Sequence, residues 1–330
     1  MTTRNESAAP EALLEALKGA QNILICSHAL PDGDALGSCL ALGMALEKMG
    51  KRVTVASADP APPQYKILPG IEKIVSAGQL EGLRFDAAVA VDASQMNRLG
   101  ACESYYRAAT VHMQIDHHAT NTLFGHVRWV DVHAAAAGCI VYRLIRALGA
   151  AMDPDMAACL YCAISTDTDN FLANNTTGEA FRIVAELVDC GLPLHEMSRR
   201  LHLIKPEAQL RLMGRALQSL RTFAGGRCVS AVLTPEDYAA TGARMEHCFA
   251  VVDFLINMEG VDMAYLAYSF VPGQARVSMR SQPPYDVSVI AEKMGGGGHV
   301  MAAGCEMKGD LAAFCAALDV DMIEELEAAH

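Results

Sequence analysis

The chain has 330 residues, of which 52% are apolar and 19% are charged, and its formal net charge is −12 at pH 7. That length predicts two domains, and this balance of residues is typical of a well-packed protein and excludes a largely disordered one. The negative charge argues against a non-specific grip on long nucleic acid, because that affinity depends on Lys and Arg displacing counterions.

Three further features predict a cytoplasmic protein that does not bind membranes. No apolar run reaches the roughly 18 residues needed to span a bilayer. The N-terminal segment MTTRNESAAPEALLEAL lacks the basic stretch and apolar core of a signal peptide. The eleven cysteines are an odd number in apolar surroundings, which indicates reduced thiols rather than a disulfide framework.

Strand-like and helix-like segments alternate along the first part of the chain. A short helix over about 9–19 is followed by apolar strands at 22–27, 53–57, 87–91 and 111–115, with helices at 35–49 and 135–148. This alternation predicts stacked β-α-β units, and therefore an α/β fold in which helices flank a mainly parallel sheet. In such folds the reactive groups gather beyond the carboxyl ends of the strands.

The later part of the chain predicts a smaller second α/β domain. The segment Thr176–Glu179 has the spacing of a capping box and is expected to open a helix that stops at Gly191. Helices around 193–202 and 206–222 follow, and then strands near 228–233, 263–270 and 275–281. The predicted organisation is a catalytic domain over 1–191, a helical linker over 192–224 and a second domain over 225–330.

Four short segments carry acidic residues or histidine at or near the end of an apolar run that we expect to be a buried strand. The residues that they contribute are His28, Asp32, Asp34, Asp92, Asp116, His117, His118 and Asp167. At one edge of a sheet these side chains would supply oxygen and imidazole ligands for two divalent metals. Two metals about 3.5 to 4 Å apart are the usual machinery for attack of water on a phosphorus ester. The sequence therefore predicts a metal-dependent phosphoesterase.

Each segment alone has a simpler explanation, and only the set favours a metal site. Asp-Gly-Asp at 32–34 is a common loop and helix cap, and His117-His118 would suit a pair of capped surface histidines. Asp92 follows the apolar run FDAAVAV, where a carboxylate is costly unless cations pair with it. By contrast, Cys159-x2-Cys162 lacks a second ligand pair at zinc spacing and is expected to pack inside a helix.

The order of these segments resembles a known family. HxxxDxD, VDxS, DHH and TDT occur in the same order as the four signatures of the DHH phosphoesterases. The sequences ARVSMRS at 275–281 and DVSVIAEKMGGGGHVMAAG at 286–304 resemble the DHHA1 domain of one branch, the NrnA-like oligoribonucleases and 3′-phosphoadenosine-5′-phosphate phosphatases. The resemblance covers nearly the whole chain. It implies hydrolysis of short oligoribonucleotides to nucleoside monophosphates, or of 3′-phosphoadenosine 5′-phosphate to AMP, by a homodimer.

The resemblance also implies a role for each residue of the four segments. One metal would be held by His28, Asp32 and Asp92. The other would be held by Asp34, Asp92, His117 and Asp167, so that Asp92 bridges the two. Asp116 would orient a ligand, and His118 would donate a hydrogen bond or a proton near the scissile phosphate. This ligand set suits Mn²⁺, with Mg²⁺ and Co²⁺ as alternatives. A departure from the family pattern is Asp169, where relatives usually carry glycine after TDT.

The second domain is predicted to bind the nucleotide. Arg276, Ser278 and Arg280 alternate with apolar residues and so share one face of a strand, a pattern that a solvated face explains about as well as ligand binding does. The glycine tract 295–298 would by composition be a flexible linker, but its place between a helix and a strand favours backbone held close to a ligand. With the resemblance, the predicted nucleotide contacts are Arg98, Arg280, Ser281, Gly296, Gly297, Gly298 and His299. The expected partners are short RNA or nucleotide substrates.

Two alternatives stand beside this interpretation. The first is an inorganic pyrophosphatase of a related DHH branch. The GGGGH and RVSMRS segments count against it, because they belong to the nucleotide-binding domain. The second is a non-catalytic protein that senses nucleotides on a degenerate scaffold. The retention of every expected ligand counts against that alternative.

Overall fold

The computed structural model describes residues 9–271 and 273–328. The chain forms two compact units that divide between Ile204 and Lys205, called unit 1 and unit 2 below. The segment 192–224, which the sequence predicts to be a linker, contributes helices to both units. Within the described residues, no helix combines the length and the apolar character needed to span a bilayer.

Unit 1 is built around a parallel sheet. Its described strands are β1 (Asn22–Cys26), β2 (Arg52–Ser57), β3 (Val75–Ser76), β4 (Ala87–Val91), β5 (Val111–Asp116) and β6 (Val127–Val130). Their order across the sheet is β3-β2-β1-β4-β5-β6, and neighbouring strands pair in parallel. The predicted α/β fold with a mainly parallel sheet is therefore confirmed, and β3 and β6 are additional to the predicted strands.

The helices of unit 1 cover both faces of this sheet. They are α1 (Glu11–Gly19), α2 (Gly33–Lys48), α3 (Glu103–Ala108), α4 (Ala137–Leu148), α5 (Pro154–Asp167), α6 (Gly178–Asp189) and α7 (Leu194–Ser198). Side chains of β1 alternate between the faces, so that Ile23 and Ile25 join the core under α2 and α5, while Leu24 and Cys26 join the core under α3. Strands that are buried on both faces need nearly continuous apolar sequence, which is why AAVAV forms β4.

The apolar run that ends at Asp167 is helix α5, so the prediction of a strand there is wrong. Asp153 caps the helix by accepting a hydrogen bond from Met156 N at 2.8 Å, and Pro154 occupies the first turn. A helix that is buried on nearly all sides has no polar stripe at 3.6-residue spacing, so its sequence is easily mistaken for a strand. The prediction that Cys159 and Cys162 are packing residues of a buried helix is confirmed, since both belong to α5 and both are buried.

The capping box predicted from Thr176 and Glu179 differs from the observed cap, which lies one residue further along the chain. Thr177 is the residue that caps α6, and its side chain accepts a hydrogen bond from Ala180 N at 3.2 Å. Two adjacent threonines offer the same capping chemistry, so the sequence pattern alone does not distinguish them. The predicted end of the helix near Gly191 is close to the observed one at Asp189.

Unit 2 contains a second, mixed sheet. Its described strands are β7 (Arg221–Phe223), β8 (Cys228–Leu233), β9 (Met263–Val271), β10 (Gln274–Ser281), β11 (Gly297–His299) and β12 (Ala302–Lys308), in the order β11-β12-β10-β9-β8-β7. Strands β8 and β9 are parallel and the other neighbours are antiparallel. The helices are α8 (Glu207–Gln218), α9 (Pro235–Thr241), α10 (Val251–Ile256), α11 (Val287–Lys293) and α12 (Leu311–Ala328). The predicted helix over 206–222 is thus too long, because its last residues form the edge strand β7.

Candidate metal centre

The carboxyl ends of three adjacent strands bring the first residues of the centre together. β1, β4 and β5 are neighbours in the sheet, and His28, Asp92 and Asp116 lie at or just beyond their ends. The ladder continues past β4, because Asp92 N donates a hydrogen bond to Ile115 O at 2.9 Å. Asp92 has a φ of +56°, a left-handed conformation that is uncommon in residues other than glycine and that clusters at functional sites.

Helix packing holds Asp34, which lies in the first turn of α2 with only 1% of its side chain exposed. Its carboxylate accepts hydrogen bonds from the first two N–H groups of α4, at 2.6 Å from Ala137 N and 2.9 Å from Gly138 N. A third bond comes from Ser38 Oγ at 2.9 Å. The positive end of α4 therefore compensates part of the buried negative charge.

Two glycines of α2 allow the close contact with α5 that brings Asp167 to the centre. A Cβ atom on Gly33 would lie 2.4 Å from Thr166 Oγ1, and one on Gly37 would lie 2.3 Å from Cys159 O. Both distances are far inside van der Waals contact. A larger residue at either position would therefore displace α5, and Asp167 with it.

Three residues form what we call the first donor group: His28, Asp32 and Asp92. His28 Nε2 lies 3.8 Å from Asp32 Oδ2 and 3.5 Å from Asp92 Oδ2. Asp32 is also the N-cap of α2, where its Oδ1 accepts a hydrogen bond from Ala35 N at 3.0 Å. The helix cap and the candidate ligand are thus the same residue, so the two explanations offered by the sequence are compatible.

Asp34, His117 and Asp167 form the second donor group. His117 Nε2 lies 3.8 Å from Asp34 Oδ2 and 3.7 Å from Asp167 Oδ2. The same nitrogen lies 3.5 Å from Asp92 Oδ1. Asp92 therefore presents Oδ2 to His28 in the first donor group and Oδ1 to His117 in the second.

The donor set fits divalent cations on two observations of this structure. Asp92 Oδ1 and His117 Nε2 are buried and have no hydrogen-bond partner among the described residues. In addition, burial and the neighbouring Asp92 raise the pKa of Asp34 well above its usual value, and burial raises the pKa of Asp167 to about 6. Crowded buried carboxylates are stable as anions only when cations neutralise them. Mixed carboxylate and imidazole ligands suit Mn²⁺ and related ions.

Both candidate histidine ligands are surrounded by negative charge. Burial opposes protonation of His28, but the carboxylates of Asp32 and Asp92 outweigh it and raise the pKa of His28 to about 10. Burial likewise opposes protonation of His117, and the nearby Asp92 and Asp34 raise its pKa to about 10. A cation that binds here must therefore displace protons.

Asp116 and His118 form a hydrogen-bonded pair beside the two donor groups. Asp116 is fully buried, and its Oδ1 lies 2.8 Å from His118 Nδ1, whereas 44% of the His118 side chain is exposed. The hydrogen bond to Asp116 raises the pKa of His118. His118 Nδ1 also lies 3.6 Å from Asp92 Oδ1, so Asp92, His117 and His118 make a third cluster of possible metal donors, although the shorter contact of this nitrogen is to Asp116.

Two residues that the sequence analysis does not include support this pair. Asn121 Nδ2 donates a hydrogen bond to Asp116 Oδ2, and Asn121 Oδ1 accepts one from Gln114 Nε2 at 3.1 Å. Gln114 is fully buried in β5. The available signal was this glutamine in the otherwise apolar run MQI, because a buried amide needs specific partners.

Two further residues named from the sequence, Asp169 and Arg98, lie on segments around the centre. Asp169 has a φ of +47°, and Asn170 and Phe171 after it are also left-handed. Glycine adopts that conformation without strain, so the aspartate at this family position costs about 1 kcal/mol of backbone energy. Arg98 is exposed, and its carbonyl oxygen accepts a hydrogen bond from Ala29 N at 2.6 Å, directly after His28.

In unit 2, Arg280 and Ser281 lie on opposite faces of β10. Arg280 is half-buried and its Nε donates to Asp253 Oδ1 at 2.9 Å. Ser281 is buried, and its hydroxyl donates to Tyr285 O at 2.8 Å. Arg276, Ser278 and Arg280 do share one face, as the alternation predicts.

The last two residues of the glycine tract form, with His299, the edge strand β11 against β12. A Cβ atom on Gly296 would lie 2.2 Å from Gly304 O, and one on Gly298 would lie 2.5 Å from Ala303 Cα. The approach of β12 therefore requires these two glycines, whereas an added Cβ on Gly297 would meet no described atom within 4 Å. His299, the last residue of the strand, is exposed.

A cavity of about 480 Å³ opens beside β10 and β12, on the face of β10 that carries Arg276 and Ser278. Residues lining it include Tyr268, Arg276, Ser278, Gly296, Gly304 and Glu306. Arg276 Nη2 lies 2.7 Å from Glu306 on the neighbouring strand, so an ion pair borders the cavity. The floor consists mainly of small residues.

Comparison with known proteins decides the family. The family described as "DHH family, N-terminal domain" matches residues 22–164, and the DHHA1 domain matches 225–324. Over 300 residues, 90% of this chain and 87% of the relative, the sequence is 37% identical to a Thermus thermophilus protein named bifunctional oligoribonuclease and PAP phosphatase NrnA. The chain belongs to the DHH family.

Further comparisons agree with this membership. A Bacillus subtilis protein of the same name is 23% identical over 298 residues, 89% of this chain and 92% of that protein. The crystal structure of an exopolyphosphatase-related protein from Bacteroides fragilis has a TM-score of 0.84 at 24% identity and covers 96% of this chain and 97% of that one, so it has the same fold. The predicted DHH phosphoesterase with a DHHA1 domain is thus confirmed.

Proposed function

We propose that this DHH phosphoesterase hydrolyses short oligoribonucleotides to nucleoside monophosphates and 3′-phosphoadenosine 5′-phosphate to AMP. The observation that carries the proposal is the carboxylate of Asp92, whose two oxygens face His28 and His117. A dinuclear site suits both reactions, because each is attack of water on a nucleotide phosphoester. The names of the two NrnA relatives support this substrate class.

Two Mn²⁺ ions would be held by the two donor groups, with Asp92 common to both. When bound, such ions activate a water molecule and neutralise the charge that develops on the phosphoryl oxygens. The chain's own contribution is to fix the ligands beforehand. Backbone N–H groups do this for Asp34 at the start of α4 and for Asp32 at the start of α2.

His118 would supply the proton for the leaving oxygen. Asp116 accepts the hydrogen bond of His118 Nδ1 and is buried, so it fixes the ring and favours its protonated form. The other ring nitrogen, Nε2, then carries a proton that it can donate to the leaving group. The 44% exposure of the His118 side chain leaves room for a substrate to approach.

Unit 2 would bind the nucleotide on the part of its sheet formed by β10, β12 and β11, on the face that carries Arg276 and Arg280. Over β8 and β9 the same face belongs to an apolar core. The cross-strand row of Ser278, Gly304 and Gly297 carries no large side chain. Two neighbouring rows lie on either side of it, one with Arg276 and Glu306 and the other with Arg280 and His299. Each neighbouring row is two residues away along the strands, or about 7 Å. A floor of small residues bordered by Arg276 on one side and Arg280 on the other suits a planar base attached to a phosphate, which supports Arg280 and its row neighbour His299 as contacts.

The test is hydrolysis of a linear dinucleotide and of 3′-phosphoadenosine 5′-phosphate by the purified chain, with and without Mn²⁺, measured as release of nucleoside monophosphate. We expect turnover of both, and none after chelation. Hydrolysis of pyrophosphate is measured in parallel to test the pyrophosphatase alternative. Nucleotide binding is measured to test the sensor alternative. Hydrolysis of pyrophosphate alone would support a pyrophosphatase, and binding without hydrolysis would support a nucleotide sensor.

A further inference from the structure

The side chain of Asn175 connects two parts of the candidate metal centre. Its Nδ2 lies 3.1 Å from Asp167 Oδ2 and 3.0 Å from Asp167 O. The same nitrogen lies 3.0 Å from Ala135 O, in the loop that precedes α4. Asp167 Oδ2 is also the oxygen that faces His117 at 3.7 Å. One amide group thus contacts the carboxylate and the backbone that help to form the second donor group.

The contact between Asn175 and Ala135 is close in the chain to the hydrogen bonds that hold Asp34. Ala135 lies two residues before the first N–H group of α4 that holds the Asp34 carboxylate. A movement of this loop would therefore alter the hydrogen bonds to Asp34. Holding Ala135 and Asp167 with one side chain fixes the separation between the two carboxylates of the second donor group.

The loop that carries Asn175 has its own internal bonds. Thr168 Oγ1 donates to Ile164 O at 2.6 Å and accepts from Phe171 N at 3.1 Å. Thr168 O accepts a bond from Ala173 N at 2.9 Å. The hydrogen bonds of Asn175 described here all go to Asp167 and Ala135, and the bonds just described do not involve its side chain. Replacement of the Asn175 side chain would therefore leave these bonds of the loop in place.

We propose that Asn175 is a positioning residue that holds Asp167 and the start of α4 in register for cation binding by the second donor group. An N–H donor on Asp167 Oδ2 occupies one lone pair and fixes the carboxylate plane, so the remaining lone pair is directed at the cation. This inference rests on the proposed dinuclear function. It adds a residue outside the four signature segments to the second donor group and predicts that the first is independent of it.

The test is titration of the metal-free protein with Mn²⁺, followed by electron paramagnetic resonance and calorimetry. Asn175→Ala should weaken one of the two sites by about 10- to 100-fold, the usual effect of removing a group that orients a ligand. The other site should keep the wild-type affinity. Asn175→Gln, which retains the amide on a longer stem, should recover part of the loss. Activity of Asn175→Ala should return towards the wild-type value as Mn²⁺ is raised.

Asn174→Ala is the matched control, since Asn174 is an exposed neighbour in the same loop. Thermal unfolding of each metal-free variant separates loss of folding from loss of binding. Equal weakening of both sites, or unchanged binding in Asn175→Ala, would overturn the inference. If the wild-type chain binds two Mn²⁺ but hydrolyses no nucleotide, the proposed function fails while the binding experiment still decides the role of Asn175.

Discussion

Asp92 Oδ1 and His117 Nε2 lie 3.5 Å apart, and neither atom has a hydrogen-bond partner among the described residues although both are buried. Leaving a buried polar atom unpaired costs about 1–3 kcal/mol. The separation is too long for a good hydrogen bond between the two atoms. A cation that both atoms bind would remove the cost, and this pair is therefore the strongest local sign of a metal ligand set.

Replacement of Asp92 is expected to damage activity more than replacement of Asp32. Asp92 faces both histidines and is 4% exposed, whereas Asp32 faces one and is 54% exposed. Asp92→Asn should reduce kcat/KM by about a thousandfold or more, and Asp32→Asn by about tenfold, because the first affects both ions. Asp189→Asn, in an exposed position, is the control. Equal losses in the two variants would show that Asp92 does not serve both donor groups.

Removal of metal should make stability fall as the pH rises. The pKa values of His28 and His117 in the folded chain are about 10, against 6.5 for the unperturbed group. Because the two histidines bind protons more tightly in the folded chain than in the unfolded one, their protonation stabilises the fold. This stabilisation is complete below pH 6.5 and is lost as the pH rises towards 10. The chelated protein should therefore unfold at a lower temperature at about pH 9 than at pH 6.5.

Added Mn²⁺ should have the opposite dependence on pH. Binding displaces protons from the same histidines, so the apparent affinity should increase with pH. Calorimetry in buffers of different ionisation enthalpy measures the protons released. The His28→Gln variant provides the comparison and should release fewer. Binding without proton release would contradict the assignment of these histidines as ligands.

The residues at the strand ends could be predicted from the sequence because of a general property of parallel sheets. His28, Asp92 and Asp116 each follow an apolar run, and the carboxyl ends of β1, β4 and β5 meet at one edge. The sequence predicts Asp167 as part of the same site, although the strand that it predicts before Asp167 is in fact helix α5. Its helix α5 is buried on nearly all sides, and burial removes the amphipathic pattern that would have distinguished a helix.

The supporting residues could not be predicted in the same way. Asn121 and Asn175 contact Asp116 and Asp167 through side-chain hydrogen bonds from their amide groups. Such bonds depend on loop conformation, which leaves no periodic pattern in a sequence. The tight approach of β12 to Gly296 is a similar case, because packing against β12 requires this glycine and the sequence alone does not show which strand lies there.

Loss of Asn121 should impair proton transfer without weakening metal binding. Its amide donates to Asp116 Oδ2, so Asn121→Ala leaves one oxygen of a buried carboxylate without this partner and loosens the His118 ring. We expect kcat to fall by about 10- to 100-fold, with KM and Mn²⁺ affinity close to wild type. Steady-state kinetics and Mn²⁺ titration measure the two quantities. A parallel loss of Mn²⁺ affinity would place Asn121 with the metal ligands instead.

Replacement of Arg280 should separate nucleotide substrates from minimal ones. If this arginine binds the nucleotide away from the reacting phosphate, Arg280→Met should reduce kcat/KM for a dinucleotide by about 100-fold and largely spare an aryl phosphodiester. Arg211→Met is a suitable control, because Arg211 is also an ion-paired arginine of unit 2, bonded to Glu207. Equal losses on the two substrates would count against nucleotide binding by this face.

Activity should decline steeply with substrate length, beyond roughly five nucleotides. Each further phosphate adds affinity only where Lys or Arg meets it, and the chain has 26 basic residues against 38 acidic ones. A longer strand therefore gains repulsion rather than binding energy. Initial rates on labelled RNAs of about 2, 3, 5, 10 and 24 nucleotides in Mn²⁺ would test this, and raised salt should narrow the difference by screening the repulsion. Processive degradation of the longest RNA at the rate of the dinucleotide would refute the prediction and indicate an exonuclease that acts on long strands.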